Sequence, residues 1–203
     1  MGPHQEPTSP RRGNAASVPS ETPLAKNCTL AIVPVDVHDR ILAGNDAQAR
    51  HNRDHFGAHG VTAVNVMGSP GAGKTSILEK TLEYLKGKVR VGVIEGDIQT
   101  DLDAQRIASH GVPAVQIVTN GGCHLDAKLV EDALSSLDLN GARLLVIENV
   151  GNLVCPSNYD LGEAMKVVVI STTEGDDKPL KYPSMFQHAA VLIINKIDLL
   201  PYV

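Results

Sequence analysis

The chain has 203 residues, of which 42% are hydrophobic and 20% charged, with a formal net charge of −5. That is the composition of a soluble globular domain with a real core; the acidic balance argues against a nucleic-acid footprint, and no apolar stretch approaches the ~20 residues needed to cross a bilayer. The first residues also lack the charged, apolar and small-residue order of a secretory signal, so the expected compartment is the cytoplasm, with neither nucleic acid nor membrane as partner.

Residues 1–26 are rich in Pro, Ser, Gly and Arg without apolar period, which predicts a disordered tail. Residues 27–60 read as a mostly helical extension. Its first part, 27–33, is apolar enough for a short strand or packed arm. After it Val37, Ile41, Leu42, Ala47 and Phe56 recur at loosely helical spacing, with a break expected near Gly44-Asn45. From Val61 to Val203 strand and helix alternate. Strands are expected near 61–67, 89–95, 113–118, 143–148, 166–171 and 190–195, and helices near 75–86, 101–110 and 124–137. Further helices are expected around 158–165 and 183–189. Aromatics make up only 3% of the chain, so the core must come from Val, Ile, Leu and Ala, which suits a buried parallel sheet. The alternation implies right-handed crossovers and a three-layer, doubly wound, mostly parallel α/β fold. Ligands in such a fold sit beyond the carboxyl ends of the strands.

Gly68-Ser-Pro-Gly-Ala-Gly-Lys-Thr75 is a complete phosphate-binding loop between a hydrophobic run and a helical one. Read alone, it could be a glycine-rich turn with a chance Lys-Thr; the flanking elements favour the cradle. Gly68, Gly71, Ala72, Gly73 and Ser76 complete a segment whose N–H groups face phosphate oxygens at a helix N-terminus. Lys74 would reach the β/γ-phosphates, and the Thr75 hydroxyl would hold Mg²⁺. Three later strand ends extend the set. Asp97 is placed to touch the metal or its water. Glu148 can orient that water, while the Gly151 N–H senses the γ-phosphate. Asn195-Lys196-Ile197-Asp198 offers a carboxylate at Asp198 for the N1–H and N2–H donors of guanine, which adenine lacks. Lys196 can lie across the base, and Asn195 can tie this loop to the phosphate loop. The nucleotide is therefore GTP or GDP.

Cys123-His124 and Cys155-Pro156 follow the third and fourth strands of the alternating region. Thiolate and imidazole suit Zn²⁺ and, in some geometries, Ni²⁺. Spacing alone leaves two readings open: a three-ligand site, or small buried thiols beside a packed ring. Three ligands leave a position for water or for a two-fold-related copy. Cys28 is isolated and reads as a packing residue; three cysteines are too few for a disulfide framework. His51, His55 and His59 recur at i, i+4 and i+8 and would share one face of a continuous helix, as paired ligands can. A solvated face is the reading adopted, because Gly57 and Gly60 signal that the helix is ending.

Together these segments resemble the hydrogenase nickel-incorporation GTPases, the HypB family, over about residues 35–203. The resemblance rests on Asn45 with Asn52-Arg53, Gly68 to Thr75, Glu95-Gly-Asp-Ile-Gln-Thr100, Asn120-Gly-Gly-Cys-His124, Glu148 to Pro156, Thr173 to Pro179 and Asn195 to Asp198. It implies a P-loop GTPase of the SIMIBI type. Such a protein loads nickel into the large subunit of nickel–iron hydrogenase together with a small zinc-containing nickel accessory protein. It further implies that Cys123, His124 and Cys155 bind Ni²⁺ or Zn²⁺ near the nucleotide at the interface of a GTP-dependent homodimer. Many relatives carry an N-terminal Cys-x-x-Cys-Gly-Cys motif or a His-rich stretch; here only His4 precedes Cys28 in that role, so nickel storage there is not expected. Relatives also continue through a further guanine-loop segment, a strand and terminal helices. This chain stops five residues after Asp198, so the C-terminal part of the fold is expected to be missing.

Three functions follow. The first is slow GTP hydrolysis coupled to metal delivery, with Lys74, Asp97 and Glu148 as the catalytic set. The second is a nucleotide- and metal-binding module with little hydrolysis. The third, a small-molecule kinase, needs a lid with arginines, and residues 96–142 offer only Arg106. Lys178 and Lys181 read as solvated loop charges.

Overall fold

The computed structural model describes Gly2 and residues 37–98 and 102–203. The expectations for the tail 1–26, the arm 27–33 and Cys28 lie outside the described residues. Six parallel strands form one sheet: β1 (Thr62–Gly68), β2 (Val91–Asp97), β3 (Ala114–Val118), β4 (Leu144–Glu148), β5 (Met165–Ser171) and β6 (Val191–Asn195), in the spatial order β3-β2-β4-β1-β5-β6. All six fall within a residue or two of the expected runs. The helices are α1 (Val37–His59), α2 (Lys74–Leu85), α3 (Leu102–Ala108), α4 (Ala127–Leu134), α5 (Lys178–Lys181) and α6 (Pro183–Gln187).

Alternation along the central strands assigns the two faces. Ala63, Ile94, Leu145 and Ile147 point to one side, where they pack with Phe56 of α1 and Val130 and Ala133 of α4. Val91, Val93 and Val146 point to the other, against Leu78 and Leu82 of α2 and Ile107 of α3. This gives three layers, as a buried parallel sheet requires. Met67, Val168, Leu153 and Met185 form a third cluster under α6. Beyond it β6 is an edge strand, and Val191, Leu192 and Ile194 remain exposed. Among the described residues no helix is long and apolar enough to cross a membrane.

Two expectations fail. No break occurs at Gly44-Asn45: α1 is one helix of 23 residues. A glycine inside a helix costs only about 1 kcal/mol, and tertiary bonds offset it. Asn45 donates to the Asp160 carbonyl (2.8 Å) and accepts from the Ala127 N–H (2.9 Å). Two turns along, the buried Asn52 amide donates to the carbonyls of Ala127 (2.8 Å) and Leu161 (3.1 Å). The helix expected over 158–165 is likewise absent. A 3₁₀ turn at Cys155–Asn158 gives way to extended chain, because Gly162 adopts φ 91° and lies so close to α1 that a Cβ would sit 2.7 Å from the Ala49 carbonyl oxygen. The helix expected over 124–137 is shortened to α4, whose start is set by Asp126 accepting from the Leu129 N–H at 2.8 Å.

Candidate nucleotide and metal site

The phosphate-loop segment turns from β1 into α2 around a cavity of 470 Å³. Gly71, Gly73, Lys74, Thr75, Ser76, Glu95, Asp97, Glu148, Gly151 and Lys196 line it, so the strand ends that the sequence singled out do converge. Gly73 caps α2 in the left-handed region at φ 96°, and a Cβ there would collide with the Asn195 amide at 2.2 Å. That closeness comes from Asn195 itself, whose Nδ2 donates to the Ala72 carbonyl at 2.9 Å. Lys196, also left-handed at φ 56°, donates from Nζ to the Gly71 carbonyl at 2.7 Å. The loop that follows β6 and the phosphate loop are thus pinned together. Asp198 follows in a 3₁₀ segment, exposed, and does not line the cavity.

Behind the loop lies a feature the sequence reading left without a role. Glu95 and Glu148 face each other in register on β2 and β4, 2% and 3% exposed. Burial, then the Glu148 charge, pushes the Glu95 carboxyl up to about 10. Burial also raises Glu148, against the opposing pull of Lys74 and the Thr75 hydroxyl, which donates to Glu148 Oε1 at 2.9 Å. One oxygen of each carboxyl, Oε2, has no hydrogen-bond partner. Two buried carboxyls, a threonine hydroxyl and orphaned oxygens make an all-oxygen donor set that fits a hard hydrated cation such as Mg²⁺. Glu95 could have been found from one signal: a charge two residues inside the end of an otherwise apolar central strand.

The soft ligands meet on the neighbouring loops. Cys123 Sγ lies 2.9 Å from Cys155 Sγ and 3.6 Å from His124 Nδ1, and each of the three residues offers a ligand atom within 4.8 Å of the others. Burial lowers the His124 pKa, which keeps the lone pair available. Its ring is held by stacking on Tyr159, with centroids 3.9 Å apart. Cys155 is raised, chiefly by its hydrogen bond with Cys123 and then by burial, so its thiol must give up a proton to ligate an ion.

Asn149 joins the two centres. Its Oδ1 accepts from the N–H of Leu125, next to His124 (3.1 Å), and from the N–H of Val150 (3.0 Å). Its Nδ2 donates to Asn65 Oδ1 (3.2 Å), and Asn65 donates to Glu163 (3.3 Å). Asn149, Asn65 and Glu163 are all buried. The loop carrying Cys155 is also fastened to the phosphate loop, through the Asn152 N–H donating to the Gly68 carbonyl at 3.0 Å. His51, His55 and His59 lie on α1 and line no part of this cavity. Lys178 and Lys181 sit on exposed α5, Lys181 paired with Asp177.

Residues 62–203 match the family model for the CobW/HypB/UreG nucleotide-binding domain. The chain is 55% identical over 168 residues to the hydrogenase maturation factor HypB of Rhizobium leguminosarum bv. viciae, covering 83% of the chain and 56% of that relative. It therefore spans just over half the length of that curated relative. Among solved structures, HypB from Helicobacter pylori in complex with nickel is 44% identical with a TM-score of 0.75, over 78% of this chain and 74% of that one. The signal recognition particle 54 kDa protein of Aeropyrum pernix K1 in complex with GDP, at 17% identity and a TM-score of 0.53, covers 68% of this chain and 36% of its own, and shares the fold alone.

Proposed function

The chain belongs to the HypB family within the CobW/HypB/UreG nucleotide-binding domains, and we propose that it is a GTP-hydrolysing metallochaperone that takes up nickel for maturation of a nickel–iron hydrogenase. The observation that carries this reading is the buried amide of Asn149, bonded at once to the backbone beside His124 and to the backbone two residues after Glu148.

In this reading the N–H groups of Gly71 to Ser76 hold the phosphates, and Lys74 offsets charge on the leaving oxygens. Asp198 selects guanine, Lys196 covers the base, and Asn195 keeps that loop in register with the cradle. Thr75, Asp97, Glu95 and Glu148 would hold a magnesium ion and its waters, which supplies charge neutralisation at the β- and γ-phosphates. Glu148 gives up its bond from Thr75 to do so, and Gly151 offers its N–H to the γ-phosphate. Among the described residues no side chain is placed as a strong base, so intrinsic turnover is slow. Nickel is cargo: Cys123, His124 and Cys155 bind it, and an open coordination position lets it leave. Movement of the 148–155 loop with nucleotide state then shifts Asn149 and Cys155 together. The further elements of the reading are a GTP-dependent homodimer, the hydrogenase large subunit and a small zinc-containing nickel accessory protein as partners, and the cytoplasm as compartment.

Nickel titration in the presence of GDP and of a non-hydrolysable GTP analogue tests the reading. Different affinities are expected, and equal ones would remove the coupling. A second reading, a nucleotide- and metal-binding module with little hydrolysis, is favoured by the exposed Asp198 and the open β6 edge; phosphate release separates the two.

A further inference from the structure

α1 runs unbroken through Gly57 and ends at His59, where Gly60 turns left-handed at φ 63°, so His51, His55 and His59 share one stripe at single-turn intervals. The stripe borders the buried face that carries Asn52 and Phe56. His51 and His59 are exposed and His55 is half-buried.

Two observations distinguish this stripe from an ordinary solvated face. The rings of His55 and His59 lie with centroids 4.4 Å apart and planes tilted by 32°. In addition, His59 Nδ1 lies 2.9 Å from the His55 carbonyl oxygen. A carbonyl only accepts, so Nδ1 carries the proton and the neutral ring keeps its lone pair on Nε2. Histidines that ligate metals are oriented in this way, with the second ring N–H on a backbone carbonyl. His55 is also kept neutral: burial first, then the neighbouring His59 and His51, lowers its pKa. His51 is engaged one turn earlier, with Nε2 3.5 Å from Glu131 of α4.

We infer that His55 and His59 form a second transition-metal site, separate from the cysteine centre, that takes one borderline divalent cation such as Ni²⁺, Zn²⁺ or Cu²⁺ on two imidazoles, with water filling the remaining positions. Side chains one turn apart on a helix are ~5–6 Å apart at Cβ, within reach of a single ion at ~2.0–2.1 Å from each nitrogen. Two imidazoles favour these ions over Mg²⁺ or Ca²⁺, which need oxygen ligands. With no thiolate and one of its two ligands exposed to water, the site binds more weakly than the cysteine centre and exchanges faster. The inference does not depend on the nucleotide or hydrogenase reading.

The test is NMR of the unmodified full chain titrated with Ni²⁺, with calorimetry of two variants beside it. Once the tight equivalent is bound, paramagnetic broadening is expected first at the His55 and His59 side chains. His188 is an internal control: it is exposed and has the same Nδ1 contact to a backbone carbonyl, at 2.8 Å, but no second imidazole beside it among the described residues. By calorimetry, C123S/C155S keeps the weaker equivalent, whereas H55Q/H59Q keeps the tight one and loses at least tenfold in affinity for the weaker. Glutamine suits an exposed helix position, so the fold is retained. Broadening at His55 and His59 no greater than at His188 would overturn the inference. So would a weaker equivalent that persists unchanged in H55Q/H59Q, since other histidines would then hold it.

Discussion

Replacing Asn149 with alanine takes away the partner of two backbone N–H groups, those of Leu125 and Val150, and of the Asn65 side-chain carbonyl. The residue is 1% exposed, so water cannot easily take its place. A buried polar group left unpaired costs about 1–3 kcal/mol. Three such groups, with some local relaxation, bring the loss to about 3–5 kcal/mol. For a domain of this size each kcal/mol lowers the melting temperature by about 2–4 °C, so a drop of roughly 10 °C is expected. A protein in the middle or upper part of the usual range of about 5–15 kcal/mol stays folded at 20 °C after that loss. The functional effect is separate. With the amide gone, the His124 side and the Glu148 side of the junction no longer share a bond, and the ratio of nickel affinities between the GDP and GTP-analogue states should collapse toward one. Thermal unfolding without ligand gives the first number, and nickel titration in both nucleotide states gives the second. A melting shift below about 2 °C would show that the hydrogen bonds do not hold this junction. A normal shift with an unchanged affinity ratio would show that they hold it without carrying the coupling.

Glu95→Gln acts on the carboxyl pair. Glu95 binds in the fold, up to about pH 10, a proton that an ordinary carboxylate loses near 4.5; its contribution is therefore complete below about pH 4.5 and declines as pH climbs through that window. The variant should melt higher than the parent in EDTA at pH 8, show a flatter pH dependence, and bind magnesium–GTP more weakly; a melting temperature lowered in EDTA refutes the raised carboxyl. Asn195→Ala breaks the 2.9 Å bond to the Ala72 carbonyl and should weaken GTP binding about fivefold, as one hydrogen bond of ~1 kcal/mol implies; equilibrium binding checks it, and unchanged affinity speaks against a pinned loop. Cys155→Ser should abolish tight nickel binding while leaving GDP affinity within twofold, measured by dialysis on the same sample; retained stoichiometry would remove Cys155 from the ligand set.

The strands were legible because runs such as Val91 to Ile94 and Leu144 to Ile147 are apolar on both faces, which only a covered parallel sheet tolerates. The phosphate loop and the Asn195 to Asp198 segment were legible because their chemistry is local in sequence. What escaped depends on distant neighbours. Gly44 signals a break, but the ties from Asn45 to Asp160 and Ala127 come from residues far along the chain. A helix was expected over 158–165, yet Gly162 is taken into left-handed backbone by the close approach of α1. Glu95 acquires meaning only from Glu148 across the β2–β4 ladder, and Asn149 only from the three groups around its amide. Likewise, the spacing of Cys123 and Cys155 left a metal site and buried thiols equally open; the 2.9 Å between their sulfurs brings both into one site.

The stacking of Tyr159 on His124 has a practical consequence. The chain has four tyrosines and no tryptophan, so its ultraviolet emission is purely phenolic. Tyr84 and Tyr202 are largely bathed in solvent, whereas Tyr159 rests against an imidazole that would bind the cargo. An open-shell ion arriving there should dim that one fluorophore, so the protein carries its own optical gauge of loading and release and needs no attached dye.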